Sequence, residues 1–500
     1  MKLAEGGYNR TFLITMHDGF KMVARIPYPV TVPEFYTTAS EVATMRFLRS
    51  SGLPVPEVYD YSPSSDNAAK TEYIFMEFVR GTDLYDVWMK LEEPDIVSVL
   101  RQLTQLESRL MSIPFPAGGS LYYTYDLEKV AGSIGIPLND DRFCVGPDVS
   151  LCMWYGRRSQ LNVHRGPCTP LSAFSLVELS GTIETVDKNA EATLVAAARK
   201  ELAYLKQFGR PLLPFQRERR EAYEYEEQSP SDHIENLERY LLLASSLVSK
   251  NSAFHPFRIR HPDLQPGNVI VSRSPDSNQL NVVGLLDWQH ASILPLFLLA
   301  GIPARLRNYG DPVSRALIPP SLPANMNELD QSEQRLERRL YHRRLVHSHY
   351  VKNTEKYNKL HYDALSDLVS VFLFHLFDRA SAPWEGETHA LKTTLIEATE
   401  KWGMLMGEGV PCPVAFEPED LLKTKELSAE LQFADKNFET CRGILGFESE
   451  TWVPNENYER AIALAEILKL RLLEAIPEKE VRAKVASNWF LDDMDEKDYM

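Results

Sequence analysis

Strand-like and helix-like spacing of apolar residues divides the chain into two regions. Thr11-Phe12-Leu13-Ile14-Thr15 and Lys21-Met22-Val23-Ala24-Arg25-Ile26 are runs of strand formers on either side of His17-Asp18-Gly19. Asp-Gly between such runs predicts a hairpin. Val42, Met45, Phe47 and Leu48 then recur at helical spacing, which predicts a helix over Thr38 to Ser51, stopped by Gly52. Two more strands are predicted at Val55 to Tyr61 and Glu72 to Phe78, separated by the turn formers of Ser62 to Lys70.

Beyond Gly81 the spacing turns helical, with helices predicted over Asp95 to Met111, Glu191 to Phe208, Ile234 to Lys250, Ser332 to Tyr350, Asp363 to Arg379 and Tyr458 to Ala475. One passage interrupts them. Val269-Ile270-Val271 and Val282 to Leu286 flank the turn Ser274-Pro275-Asp276-Ser277-Asn278, which predicts a second hairpin. No internal repeat of fixed period is visible. The expected class is α+β, a small β-rich part at residues 1–80, a large helical part at 81–414 and a helical extension at 415–500.

A chain of 500 residues exceeds what one hydrophobic core usually supports, so at least two lobes are expected. Its 44% hydrophobic and 25% charged residues are those of a folded globular protein rather than a disordered one. The formal net charge of −16 opposes attraction to a nucleic-acid backbone or an anionic membrane surface, so neither is expected as a partner. The five cysteines are scattered, with no C-x-x-C pair, which predicts reduced thiols inside a cell. The longest apolar run, Ile293 to Ile302, is half the ~20 residues of a membrane span, so no integral membrane association is expected. Met1 to Glu5 have neither a signal-peptide nor a transit-segment pattern.

The segment richest in chemistry is His261-Pro262-Asp263-Leu264-Gln265-Pro266-Gly267-Asn268-Val269-Ile270-Val271, followed nineteen residues after Asn268 by Asp287-Trp288-Gln289. Phosphoryl transfer needs a carboxylate near the attacking group and oxygen ligands for Mg²⁺ between the phosphates. Asp263 supplies the first as the candidate catalytic residue; Asn268 and Asp287 supply the second as candidate metal ligands. The hairpin between them would bring the two ligands together. Alone, H-x-D-x-x-x-x-N reads equally well as a helix cap and a turn; the strand ending at Asp287 tips the balance toward a phosphate and metal site. His261 reads as a loop-holding residue rather than a proton carrier.

This motif order and spacing resemble the aminoglycoside phosphotransferase family of the protein-kinase-like fold. Glu5-Gly6-Gly7-Tyr8-Asn9-Arg10-Thr11-Phe12, Val23 to Pro29, Glu72 to Gly81 and Gly119 to Tyr123 are similar to its fungal branch, which includes the altered-inheritance-of-mitochondria phosphotransferase-like proteins. The resemblance covers most of Glu5 to about Arg305. It implies a bilobal kinase-like fold and an ATP- and Mg²⁺-dependent transfer of a γ-phosphoryl group to a small-molecule hydroxyl or amine. It also implies a mitochondrial location, against a cytoplasmic alternative suggested by the absence of a visible presequence.

In such a fold Gly6 and Gly7 would let backbone amides approach phosphate, with an ordinary hairpin turn as the rival reading. Backbone groups of Glu77 and Val79 would hold the adenine. A lysine on the third strand normally touches the phosphates and pairs with a helix glutamate; here the position is Arg25, with Glu41 on the helix and Lys21 as a fallback. That replacement, and the few residues ahead of Gly6, favour the alternative of a pseudokinase-like nucleotide-binding scaffold. The insertion of about 180 residues between Gly81 and His261, and the lack of an A-P-E segment after Asp287, disfavour a protein substrate. Trp154, Tyr155 and Asp148 are candidate pocket residues, with core packing favoured for each. Arg335, Arg338, Arg339, Arg343 and Arg344 read as a solvated helix face, and Asp492 to Glu496 as a solvated tail.

Overall fold

The computed structural model describes residues 1–130, 135–168, 187–244, 246–445, 458–492 and 496–499. The chain divides into two compact units. The first comprises Met1–Trp154, Val163–Ala196 and Val248–Phe377; the second comprises Tyr155–Asn162, Ala197–Leu247 and Asp378–Met500.

The first unit opens with an antiparallel sheet of β1 (Lys2–Glu5), β2 (Asn9–Thr15), β3 (Lys21–Pro27), β4 (Val58–Ser62) and β5 (Tyr73–Glu77), in the order β1-β2-β3-β5-β4. The predicted β2–β3 hairpin forms. Asp18 Oδ1 accepts from the Phe20 amide at 2.9 Å and Gly19 takes a φ of 84°, so the Asp-Gly pair makes the turn. Its register sets Thr11 opposite Arg25, and β3 in turn sets Arg25 opposite Ile74. Helix α1 (Tyr36–Ser50) buries Val42, Met45 and Leu48 completely or nearly so, as their spacing predicted. The strand expected from Val55 begins only at Val58, because Pro54 and Pro56 have no amide hydrogen to pair.

Beyond the sheet come β6 (Thr82–Asp83), α2 (Leu84–Trp88) and α3 (Glu93–Ser112). Asp83 caps α2 by accepting from the Tyr85 amide at 2.8 Å. A three-stranded sheet that periodicity did not predict follows: β7 (Ser120–Tyr123), β8 (Ile136–Pro137) and β9 (Phe143–Gly146), ordered β7-β9-β8. Every residue of β7 and β9 is buried, so neither strand shows the in-out alternation that betrays a half-buried one. Then β10 (Phe257–Ile259) pairs with β13 (Ile293–Pro295), while β11 (Val269–Arg273) and β12 (Leu280–Leu285) form the second predicted hairpin.

Two helices differ from expectation. The one expected from Asp363 to Arg379 is two, Lys359–Ser366 and Leu368–Ser381. Asp367 separates them because its carboxylate accepts from the Ser370 amide at 2.9 Å and the Ser370 hydroxyl at 2.6 Å, starting a new helix. The helix expected to reach Lys250 runs from Pro230 to Ala244. Four arginines of helix Gln331–Tyr357 (Arg335, Arg338, Arg339, Arg343) are exposed as predicted, but Arg344 pairs with Asp311 at 2.8 Å.

The second unit holds a fully buried charge cluster. Arg158 pairs with Glu201 at 2.6 Å, and the Lys200 ammonium lies 2.9 Å from the same carboxylate. The Trp384 amide donates to Glu201 at 2.7 Å, so each buried charge has partners. Of the acidic stretch, Asp492 is solvent-exposed, as expected. Asp492 pairs with Lys469 at 2.6 Å, and buried Tyr499 donates to the Leu213 carbonyl at 2.8 Å; the rest of the acidic stretch, 493–495, lies outside the described residues. Among the described residues no helix is long and apolar enough to cross a membrane.

Burial opposes protonation of three histidines in the folded protein. It lowers His233, His361 and His389 to about 4, whereas an exposed imidazole titrates near 6.5. Between those values the unfolded chain binds protons that the folded chain refuses, so stability falls as pH drops from 6.5 and is regained above it. Glu41, raised to about 7 by burial, titrates in the opposite sense and offsets part of this. Unfolding free energies from urea denaturation should therefore fall between pH 7 and pH 5, by up to about 1.4 kcal/mol per pH unit for each histidine, and His233→Gln should flatten that slope. An unfolding free energy independent of pH would contradict the burial argument.

Candidate active site

The hairpin of β11 and β12 places the two candidate metal ligands side by side. Val269 pairs with Leu285, and the Leu286 amide donates to the Asn268 carbonyl at 2.8 Å, so Asn268 and Asp287 sit at adjacent strand ends. Asp263 joins them through its own loop. The Asn268 side-chain amide donates to the Asp263 carbonyl at 2.8 Å and to Asp263 Oδ2 at 3.2 Å, and Gln265 also donates to Oδ2.

His261 ties this loop to the end of β12. Its Nε2 donates to the Leu286 carbonyl at 2.7 Å, and its Nδ1 accepts from the Asp263 amide at 3.1 Å. Both ring nitrogens are thereby engaged and burial lowers its pKa, which agrees with a loop-holding role. Trp288, fully buried, lies against the imidazole with ring centroids 4.5 Å apart and donates to the Leu285 carbonyl at 3.1 Å.

Asp287 has a φ of 62°, and so does His290. Left-handed backbone at a residue other than glycine costs about 1–3 kcal/mol and persists only where the surroundings over-determine it. The anchors on this turn are Trp288, the Leu286 contacts and Arg25.

Arg25 is central to the cluster. Its Nη1 donates to Glu41 Oε1 at 2.7 Å, and its Nη2 donates to Asp287 Oδ1 at 2.6 Å and Gln289 Oε1 at 2.8 Å. Arg25 and Glu41 are buried, whereas the Asp287 side chain is 43% exposed. Two carboxylates thus share one guanidinium. Burial raises Glu41 to about 7 against the pull of Arg25 and with the push of Asp287, while Arg25 holds Asp287 below the usual carboxylate range against the partial desolvation of its surroundings.

The remaining candidates lie around this cluster. Gly6 and Gly7 form the exposed turn between β1 and β2, where the Gly6 amide is engaged by the Asn9 carbonyl at 3.0 Å. Neither glycine has a positive φ, and a Cβ at either would meet nothing within 4 Å. The chain's own packing therefore does not demand glycine there. Glu77 ends β5; its amide donates to the Glu57 carbonyl at 2.8 Å, and its carboxylate accepts from Arg49 at 3.0 Å. The Val79 amide makes no backbone hydrogen bond among the described residues. Lys21 is not brought to the Asp287 cluster: its ammonium lies 6.0 Å from the Phe78 ring centroid, four residues along β3 from Arg25. Trp154 stacks on Tyr36 at 5.6 Å and donates to the Asp148 carbonyl at 2.6 Å, a packing role.

Residues 1–297 match the family model described as phosphotransferase enzyme family. The chain belongs to that family. A subtelomeric hrmA-associated cluster protein of Aspergillus fumigatus is 32% identical over 480 residues, covering 92% of this chain and 90% of the relative. Altered inheritance of mitochondria protein 9, mitochondrial, of Kluyveromyces lactis is 28% identical over 324 residues, covering 59% of this chain and 48% of that protein. Among solved structures, the ternary complex of aminoglycoside phosphotransferase APH(4)-Ia with ADP and hygromycin B covers 82% of this chain and 94% of its own, at 13% identity and a TM-score of 0.34. The gentamicin complex of APH(2")-IIa covers 81% and 92%, at 12% identity and a TM-score of 0.36. The five-stranded antiparallel sheet, its packed helix and the helical region beyond are the α+β kinase-like arrangement expected from the sequence.

Sequence reasoning for this family member missed Asn9 and Gln289. Gln289 Oε1 lies 2.6 Å from the Asn9 amide as well as on Arg25, so it links the exit of the glycine turn to Asp287. Both residues stood inside the quoted motifs, but nothing in their spacing showed that a chain separation of 280 residues closes into contact.

Because Arg25 is buried, removing its partner should be costly. Glu41→Ala should lower unfolding stability by about 3–5 kcal/mol in urea denaturation, and Glu41→Gln, which keeps an acceptor, by about 1–3 kcal/mol. Equal and small losses would mean that the pair carries no structural weight.

Proposed function

We propose that this chain is an ATP- and Mg²⁺-dependent kinase that transfers the γ-phosphoryl group to a hydroxyl or amine of a small molecule. The observation that carries the reading is the convergence of Asp263, Asn268 and Asp287 on one hydrogen-bonded loop and strand end, with Arg25 and Glu41 completing it. Phosphoryl transfer asks a protein mainly for positioning and charge.

Asp263 would orient the acceptor and take its proton, and Gln265 and Asn268, which donate to its Oδ2, would hold the carboxylate in position. Asn268 and Asp287 suit Mg²⁺: Asn268 engages its amide nitrogen with Asp263 and thereby turns its oxygen away as a ligand, and the Asp287 carboxylate is half exposed. The partly exposed Asp287 carboxylate, held in its ionised form beside Arg25, offers oxygen to a hard divalent cation. Asn268 and Asp287 would hold such a cation, which would supply positive charge against the phosphates. Gly6 and Gly7 leave open space at a turn, which suits a triphosphate, and Glu77 and Val79 would meet the adenine through their backbone. On this reading residues 1–80 are the nucleotide lobe, 81–414 carry the loop and acceptor walls, and 415–500 are an extension. A mitochondrial setting is proposed from the printed name of the relative in Kluyveromyces lactis.

A second reading, a nucleotide-binding scaffold without turnover, is favoured by one observation: Arg25 occupies an oxygen of Asp287. Calorimetric titration with Mg-ATP and a turnover assay across small hydroxyl and amine compounds separate the two. The enzyme reading expects binding by the wild type, at least about tenfold weaker binding by Asp287→Ala, and loss of turnover with little loss of affinity in Asp263→Ala. Binding with no turnover by any acceptor supports the scaffold. No nucleotide affinity at all removes both readings.

A further inference from the structure

Arg260, the residue immediately before His261, lies in the interior with its side chain 12% exposed. Its Nε donates to Glu107 Oε1 on α3 at 2.7 Å, and its Nη2 donates to the Tyr350 hydroxyl on helix Gln331–Tyr357 at 2.8 Å. Its Nη1 donates to the carbonyls of Leu299 at 3.2 Å and Gly301 at 2.7 Å. Tyr350 closes the circuit by donating to Glu107 Oε2 at 2.6 Å. His361, also buried, stands beside the cluster; burial and the Arg260 charge keep it neutral at ordinary pH.

A buried ion pair of this kind adds little stability over apolar residues of similar volume, because desolvating two charges costs several kcal/mol. An apolar residue at 260 would extend the buried run of Phe257 and Ile259 more cheaply. What the pair does supply is geometry. A planar guanidinium with four partners fixes the chain direction at residue 260, and the next residue carries the two ring bonds that hold the Asp263 amide and the Leu286 carbonyl.

We propose that Arg260, braced by Glu107 and Tyr350, is the positioning residue that sets Asp263 and Asp287 against each other. This rests on reading residues 261–268 as the catalytic loop. The brace reaches Asp263 and Asp287 through His261, so it acts on orientation and not on substrate. Packing against α3 and helix Gln331–Tyr357 makes the loop a rigid extension of the helical part of its unit.

Removing one charge alone would leave the other buried and could unfold the protein, so the test is the pair. Arg260→Met/Glu107→Leu replaces the ion pair by apolar volume, and Tyr350→Phe removes one hydroxyl while keeping both charges. The double variant is expected to melt within about 3 °C of wild type. Hydrogen exchange at the Asp263, Asn268 and Leu286 amides should nonetheless rise roughly tenfold or more, with a smaller rise in Tyr350→Phe. Where the wild type turns over ATP, kcat should fall about tenfold while KM for ATP changes by less than about twofold. Exchange at those three amides equal to wild type, in a double variant that melts normally, overturns the proposal. A double variant that melts far lower also overturns it, since the pair would then be a stability element. If the wild type neither binds nor turns over nucleotide, the kinase reading fails while the exchange data still decide the brace.

Discussion

Arg25 donates from one buried guanidinium to Glu41 on α1, to Asp287 after β12 and to Gln289 beyond it, and the candidate site is built around that sharing. A charge buried this deeply must be paired, which draws the helix, the third strand and the end of β12 toward one point. The strain in the left-handed backbone at Asp287 is tolerable because this pairing and the packing of Trp288 hold the turn from both sides. Lysine would place a point charge here. Arginine's fork instead spans two carboxylates at once.

The same sharing defines the chemistry available. Glu41 is driven toward its neutral form and Asp287 toward its ionised form, so the two acids that share Arg25 differ in the charge they carry. Asn268 faces Asp263 with its nitrogen, and the glycine turn leaves room that the chain itself does not need. The Asn268–Asp263 contact and the glycine turn are local. Their alignment depends on Arg260 and His261 beneath the loop, where buried hydrogen bonds replace the flexibility an exposed loop would have.

Much of this was legible in the order of residues. The Asp18-Gly19 turn, the helically spaced apolar positions of α1 and the Ser274 to Asn278 turn are local signals, and the elements they announced formed where expected. Elements without a local signal were missed. Strands β7 and β9 are buried on both faces, and Asp367 starts a helix in the middle of an apparently continuous helical pattern through a bond to Ser370.

By itself the sequence determined which chemistry was affordable: a carboxylate, an amide and a second carboxylate at the spacing of a loop and hairpin, with arginine where lysine is usual. It could do so because those relations span few residues and obey strand geometry. Only the tertiary structure decided that Arg25 grips Asp287 across 262 positions, that Gln289 meets Asn9, and that Arg260 finds Glu107 and Tyr350. Contacts between distant residues depend on how the elements pack, and packing energies are summed over many weak terms that no single motif carries.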